Sequence, residues 1–198
     1  MSRPDRPAIP LRERKQQRAR EAIVQAAHEL FAERGFDRVT VADIAARAEV
    51  GRATFFRYFG DKQEVVFNGD GQEIATAVAE VAQTSLDTPI GDSLPAALGY
   101  VRAFVVTFVS RLVQRPKEYR LHEQLVAEQP ELRARSLLKQ RGYVDKITEL
   151  LIEHGADRAT AALAAELGMA CFSAGRTATD NDPKRLVAAV EAAFDRLR

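Results

Sequence analysis

Between Gly51 and Lys62 the chain runs GRATFFRYFGDK. Three phenylalanines and a tyrosine fall within five residues, flanked by Arg52, Arg57 and Lys62. Placed on a helix at about 100° per residue, Phe55 and Phe59 share one face. Ala53, Thr54 and Arg57 point away from it, Arg52 projects from the N-terminal end, and Phe56 and Tyr58 lie on the flanks. Two rings can anchor such a helix while the opposite face stays uncovered and offers guanidinium donors and small side chains. That arrangement suits the base edges of a major groove about 12 Å wide. A short amphipathic helix with a merely solvated charged face would share the composition, so the flanking elements decide between the two.

Those elements are helical. From Glu13, Ile23, Ala26, Ala27, Leu30 and Phe31 recur at helical spacing. Gly35 closes this helix, since glycine accepts the left-handed conformation just past a helix end, and Phe36 can fold back on the last turn. Thr40-Val41-Ala42-Asp43 predicts a capping box opening a second, short helix, with Val39 and Ile44 placed for a hydrophobic staple. Glu49-Val50-Gly51 breaks it after about two turns, and a third helix runs from Arg52 to Phe59. A short helix, a tight turn and a second helix with one bare face make a helix-turn-helix unit.

Residues 18–66 resemble the DNA-binding domain of tetracycline-repressor-type (TetR) transcription regulators, in AIVQAAHELFAERGFDRVTVADIAARAEV followed by GRATFFRYFGDKQEVVF. The resemblance implies DNA contacts from Thr40, Arg52, Ala53, Thr54, Phe56, Arg57, Tyr58 and Lys62. Thr40 matches a hydroxyl that begins the second helix and reaches a phosphate. Tyr58 matches a His or Tyr on the phosphate backbone, and Lys62 a lysine at the start of the fourth helix. A lysine there opposes the helix dipole, which a phosphate at the same end would explain. Phe56, Gly51 and Glu49 depart from the pattern, which has Tyr, Ser or Thr, and Gly at those places.

The remaining chain reads as helices between breakers. They are expected over Lys62 to about Thr84, with a weak point at Asn68–Gly71, then Ser93–Arg115, Lys117–Glu128, Pro130 to near His154, Asp157–Thr179 and Pro183–Leu197. No stretch reads as a strand, so the fold class is all-α. It comprises a flexible basic arm (1–12), a three-helix helix-turn-helix domain (13–67) and a helical regulatory and dimerisation domain (68–198). Residues 1–60 hold twelve Lys/Arg against eight Asp/Glu, net +4. The rest holds 17 against 20, net −3, within an overall +1. The first part therefore suits a polyanion. Arg3, Arg6, Arg12 and Arg14 of the arm either follow phosphates or are simply solvated.

Two features of the larger part suggest roles. Ala161, Ala162, Ala164, Ala165, Gly168, Ala170, Ser173 and Ala174 make one small-residue helix, and Leu186, Val190, Ala193 and Leu197 stripe the last. These serve either internal packing or, as the resemblance implies, a four-helix homodimer seam. Phe104, Phe108, Tyr119, His122, Tyr143, Phe172 and Arg176 combine rings with polar groups, as either plain core or a small-molecule pocket does. The resemblance implies an effector cavity in this domain.

One cysteine excludes an intrachain disulfide. Three scattered histidines give no metal spacing, and no phosphate loop or nucleophile elbow appears, so no metal, cofactor or catalytic residue is expected. The longest apolar run, Val101 to Val113, is interrupted by Arg102 and Arg111, so no membrane partner is expected and the location is cytoplasmic. The sequence thus leads to a homodimeric, ligand-responsive repressor on a palindromic operator in double-stranded DNA. A sequence-indifferent architectural DNA binder and an all-α carrier or enzyme are the competing readings.

Overall fold

The computed structural model describes residues 11–82 and 89–197. Residues 1–10 of the expected arm lie outside that range, as does the expected helix end at Thr84. The described residues up to Asn68 form one compact unit and those from Gly69 another.

In the first unit, α1 (Leu11–Arg34) begins two residues before the expected Glu13, so Arg12 is helical rather than part of an arm. Gly35 follows at φ +78, and Phe36 folds back to stack on Phe31 at 5.1 Å between ring centroids. Then come α2 (Val41–Arg47), α3 (Arg52–Tyr58) and α4 (Lys62–Val66). The expected single helix from Lys62 is interrupted at Phe67, whose amide turns back to the Glu64 carbonyl. Phe67 is buried, which fixes the break there rather than at the glycines that follow. Ile23, Leu30, Ile44, Phe55, Phe59 and Val65 fill the core of this unit, each 2% exposed or less.

The second unit continues with α5 (Asn68–Ala82), α6 (Leu94–Leu112), α7 (Pro116–Glu128), α8 (Pro130–Glu153), α9 (Arg158–Thr179) and α10 (Pro183–Asp195). Ser93, Asp157 and Asp182 cap the helices they precede, and prolines stand in the first turns of α6, α7, α8 and α10 where no amide partner is needed. The helix α9 packs against α6, α8 and α10. A Cβ on Gly175 would lie 2.5 Å from a Val190 methyl and 3.0 Å from its backbone nitrogen, so α9 and α10 meet at closest approach there. By length and composition α6 is apolar enough to cross a membrane, which the sequence reading had set aside. Here seven of its residues are buried inside this unit, while Arg102 pairs with Asp195 and Arg111 with Glu80.

His154 closes α8 as the helix-end partner its position beside Gly155 suggests. Its Nδ1 lies 2.8 Å from the Leu150 carbonyl and its Nε2 3.2 Å from the Tyr100 hydroxyl. The ring is thus placed to donate to the carbonyl and accept from the phenol. Cys171 is buried, and burial pushes its thiol above the ordinary range, away from reactivity. Among the described residues the elements are all helical, with one isolated bridge between Gly91 and Ala156.

Candidate functional site

The site begins with the cap of α2. Thr40 Oγ1 accepts from the Asp43 amide at 3.2 Å, and Asp43 Oδ2 accepts from the Thr40 amide at 2.8 Å. The same carboxylate accepts the Thr40 hydroxyl proton at 2.5 Å. These bonds hold the Asp43 carboxyl below its usual range, the Thr40 hydroxyl contributing most. The hydroxyl retains a lone pair but no free proton, so donating to a phosphate would require it to leave Asp43.

The turn to α3 passes through Glu49 at φ +53, the left-handed conformation that the family pattern meets with glycine. Gly51 then caps α3 through its carbonyl alone, which accepts from the Thr54 and Phe55 amides at 2.8 and 3.1 Å. Phe55 and Phe59 are 0% and 2% exposed and lie 5.7 Å apart, with the Arg20 guanidinium over Phe59. On the other side Arg52, Ala53 and Arg57 are exposed, Thr54 and Tyr58 half-buried, and Phe56 50% exposed. The helix is therefore anchored by one face and bare on the other. Arg57 rests over the Tyr58 ring at 5.1 Å.

Lys62 has a partner that sequence reasoning missed. Its ammonium donates to the carbonyls of Phe36 at 2.9 Å and Val39 at 3.1 Å, and lies 4.2 Å from the Phe36 ring centre. The expected reason for a lysine at this helix start was a phosphate. The structure supplies two carbonyls between α1 and α2 as partners within the chain.

Elsewhere in the unit one cation is held internally. Arg47 bridges Glu29 at 3.3 Å and Glu33 at 3.0 Å, and its hydrogen bond holds the Glu33 carboxyl below the usual range. Among the described residues Arg52 and Arg57 have no such carboxylate partner.

The second unit brings part of the expected pocket set together. Phe108 and Phe172 meet edge to face at 6.2 Å, and Arg176 lies 5.6 Å over Phe172. Arg176 also pairs with Glu123 and donates to Asn181 Oδ1 at 3.0 Å. His122 lies 3.9 Å from Glu123. The Tyr119 hydroxyl is buried without a hydrogen-bond partner among the described residues. Burial drives its ionisation well above the usual range, with Glu123 adding to the shift and Arg176 opposing it. Phe104 is buried in the core, and Tyr143 packs half-buried against it.

Glu123 and Asn181 are the members that sequence reasoning missed. Glu123 stands one helical turn after Tyr119, a spacing that signals a shared face. Asn181 follows a left-handed Asp180 in the turn after α9, which no periodicity marks. Glu123 also borders an open cleft of 580 Å³ with Arg120, Gln124, Asp180, Asn181 and Lys184. Among the described residues no cluster of His, Cys, Asp or Glu could hold a metal.

A capped α2, a tight turn and an α3 held by its inner rings define a helix-turn-helix unit. Residues 23–68 match the family described as bacterial regulatory proteins, tetR family. The likeness is that of this helix-turn-helix segment. The chain is 37% identical over 95 residues to the HTH-type transcriptional regulator TcmR of Streptomyces glaucescens, covering 47% of this chain and 40% of that one. It is 51% identical over 45 residues to the HTH-type transcriptional repressor Rv3405c of Mycobacterium tuberculosis, covering 23% and 24%. The chain thus spans less than half the length of these two relatives. The fold is similar to that of the transcriptional regulator FadR from Bacillus subtilis, solved with stearoyl-CoA. The TM-score is 0.59 at 22% identity, over 88% of this chain and 95% of that one.

Proposed function

We propose that this chain is a sequence-specific DNA-binding transcriptional regulator. It acts as a homodimer on a palindromic operator, in the cytoplasm, and is a repressor released by a small molecule. The observation that carries the reading is α3, locked by buried Phe55 and Phe59 while Arg52, Ala53 and Arg57 stay uncovered. A helix so fixed can present donors to base edges at low entropic cost, and Arg to guanine is the commonest specific contact.

Support for the dimer has shifted with the structure. Leu186 and Val190 are buried within the unit, whereas Ala193 is half-buried and Leu197 exposed, so the first half of the stripe expected at a seam between copies is internal. The outer face of the same pair remains: Ala170, Ser173, Ala174 and Ala178 on α9 with Ala188 and Ala192 on α10, all exposed. Small side chains let helices of a second copy approach closely, and two-fold symmetry suits two half-sites.

The effector reading rests on the Phe108–Phe172 pair beside the orphan Tyr119 hydroxyl and the Glu123–Arg176 pair. Even with the Arg176 guanidinium beside it, which can only donate, this buried hydroxyl has no acceptor for its own proton among the described residues. That is costly, and a ligand with a hydrogen-bond acceptor would relieve it. That the similarly folded FadR of Bacillus subtilis holds stearoyl-CoA supports an effector of some apolar extent. The test is a footprint by the full chain on a duplex it enriches from a random pool. Protection of two symmetric half-sites is expected, and uniform coverage would favour sequence-indifferent binding.

A further inference from the structure

Among the described residues, the first turns of α1 expose their side chains. Ile23 is its first fully buried residue, and Arg12, Arg14, Lys15, Gln16, Gln17 and Arg18 are all exposed. Such exposed turns gain little packing energy from these residues, and beyond the Gln17–Glu21 hydrogen bond their polar groups face solvent. Between these turns and α3 lies a cleft of 670 Å³, lined by Arg12, Lys15, Gln16, Ala19, Arg57 and Tyr58. Among the described residues the lining holds three cations, an amide and a phenol, and no carboxylate. The contrast with Arg47, held between two glutamates, is plain. Arg57 is steadied over the Tyr58 ring, and Ala19 stands one turn after Lys15 on α1, leaving the floor low.

We propose that this cleft is a phosphate clamp, a second DNA contact in which Arg12, Lys15 and Gln16 of α1 join Tyr58 of α3 around the backbone beside the half-site, while Arg57 walls the cleft and keeps its guanidinium for the groove. The proposal rests on the DNA-binding reading and extends it. A phosphodiester fits because it is anionic and offers acceptor oxygens only, while every polar group of the lining can donate. The clamp's position beside the end of α3 assigns it to the duplex whose groove α3 enters. Its contribution is to affinity and register, not to sequence choice.

The test uses the full chain, a duplex enriched from a random pool by the wild type, and the same duplex scrambled. Affinity is measured by fluorescence anisotropy over a range of salt for wild type, R12Q/K15Q and the conservative R12K/K15R. Each lost phosphate contact should flatten the slope of log affinity against log salt by about 0.9. The glutamine pair should therefore lose about 1–2 from that slope and weaken on both duplexes by the same factor. R12K/K15R should keep the wild-type slope, and the thermal midpoints of all three should coincide. An unchanged slope in R12Q/K15Q overturns the clamp. So does a loss confined to the enriched duplex, which would make these residues base readers, or a lowered midpoint, which would assign them to the fold. If the wild type enriches no duplex, the DNA-binding reading itself fails and the clamp falls with it.

Discussion

Two of the three ammonium protons of Lys62 go to the carbonyls of Phe36 and Val39, at the corner joining α1 to α2. Lys62→Met keeps the stem and removes the donors. It should lower stability by about 1.5–3 kcal/mol, the range for hydrogen bonds involving charged groups, seen as a lower urea midpoint. An unchanged midpoint would return Lys62 to a role on DNA alone. Glu49 poses the opposite case, a side chain where the backbone is left-handed at φ +53. Glu49→Gly should stabilise by about 1 kcal/mol by removing the strain that non-glycine residues carry there. A loss in the same urea titration would show that the glutamate side chain contributes more than its backbone costs. Position 49 was legible in the sequence, because the turn's φ requirement is local. The partners of Lys62 were not, because they lie on a corner far back in the chain that helical periodicity does not reach.

The helix caps give the elements their pH dependence. Asp43 and Asp157 accept amide and hydroxyl protons at the starts of α2 and α9, and these bonds depress both carboxyls. A depressed pKa contributes stability that is present above the unfolded carboxyl value of about 3.9 and is lost as pH falls through the folded value. The thermal midpoint should therefore hold from neutrality to about pH 5 and fall below about pH 4. Asparagine also caps helices but does not titrate, so D43N/D157N should show a smaller acid loss than wild type. An identical acid limb would place the dependence elsewhere. Helix positions were largely legible, because Thr40-x-x-Asp43, Asp157 and the first-turn prolines mark starts by local hydrogen-bond chemistry. The break at Phe67 was not, because burial of one ring sets it and the nearby glycines point elsewhere.

For the whole molecule, the pattern of small residues fixed less than the fold does. Gly175 and Val190 interlock inside one chain, whereas Ala174 lies exposed on the outer face of α9. Sequence alone could not divide α9 into an inner and an outer side, because alanines and glycines occupy both. Ala174→Arg should leave the fold intact and convert the proposed dimer to a monomer in sedimentation, with weakened binding to a two-half-site duplex. A folded A174R dimer would move the seam to another face.

The central claim is that α3 reads bases within a symmetric site, and enrichment from a random duplex pool tests it most directly when paired with R57A. Wild type should enrich a sequence with two-fold symmetry, its half-sites one or more helical turns apart, about 34 Å or a multiple. R57A should bind that duplex more weakly by about 1–3 kcal/mol and lose preference at one position in each half. Its affinity for a scrambled duplex should change far less. Enrichment of no sequence by wild type, or an equal loss by R57A on both duplexes, would contradict the account.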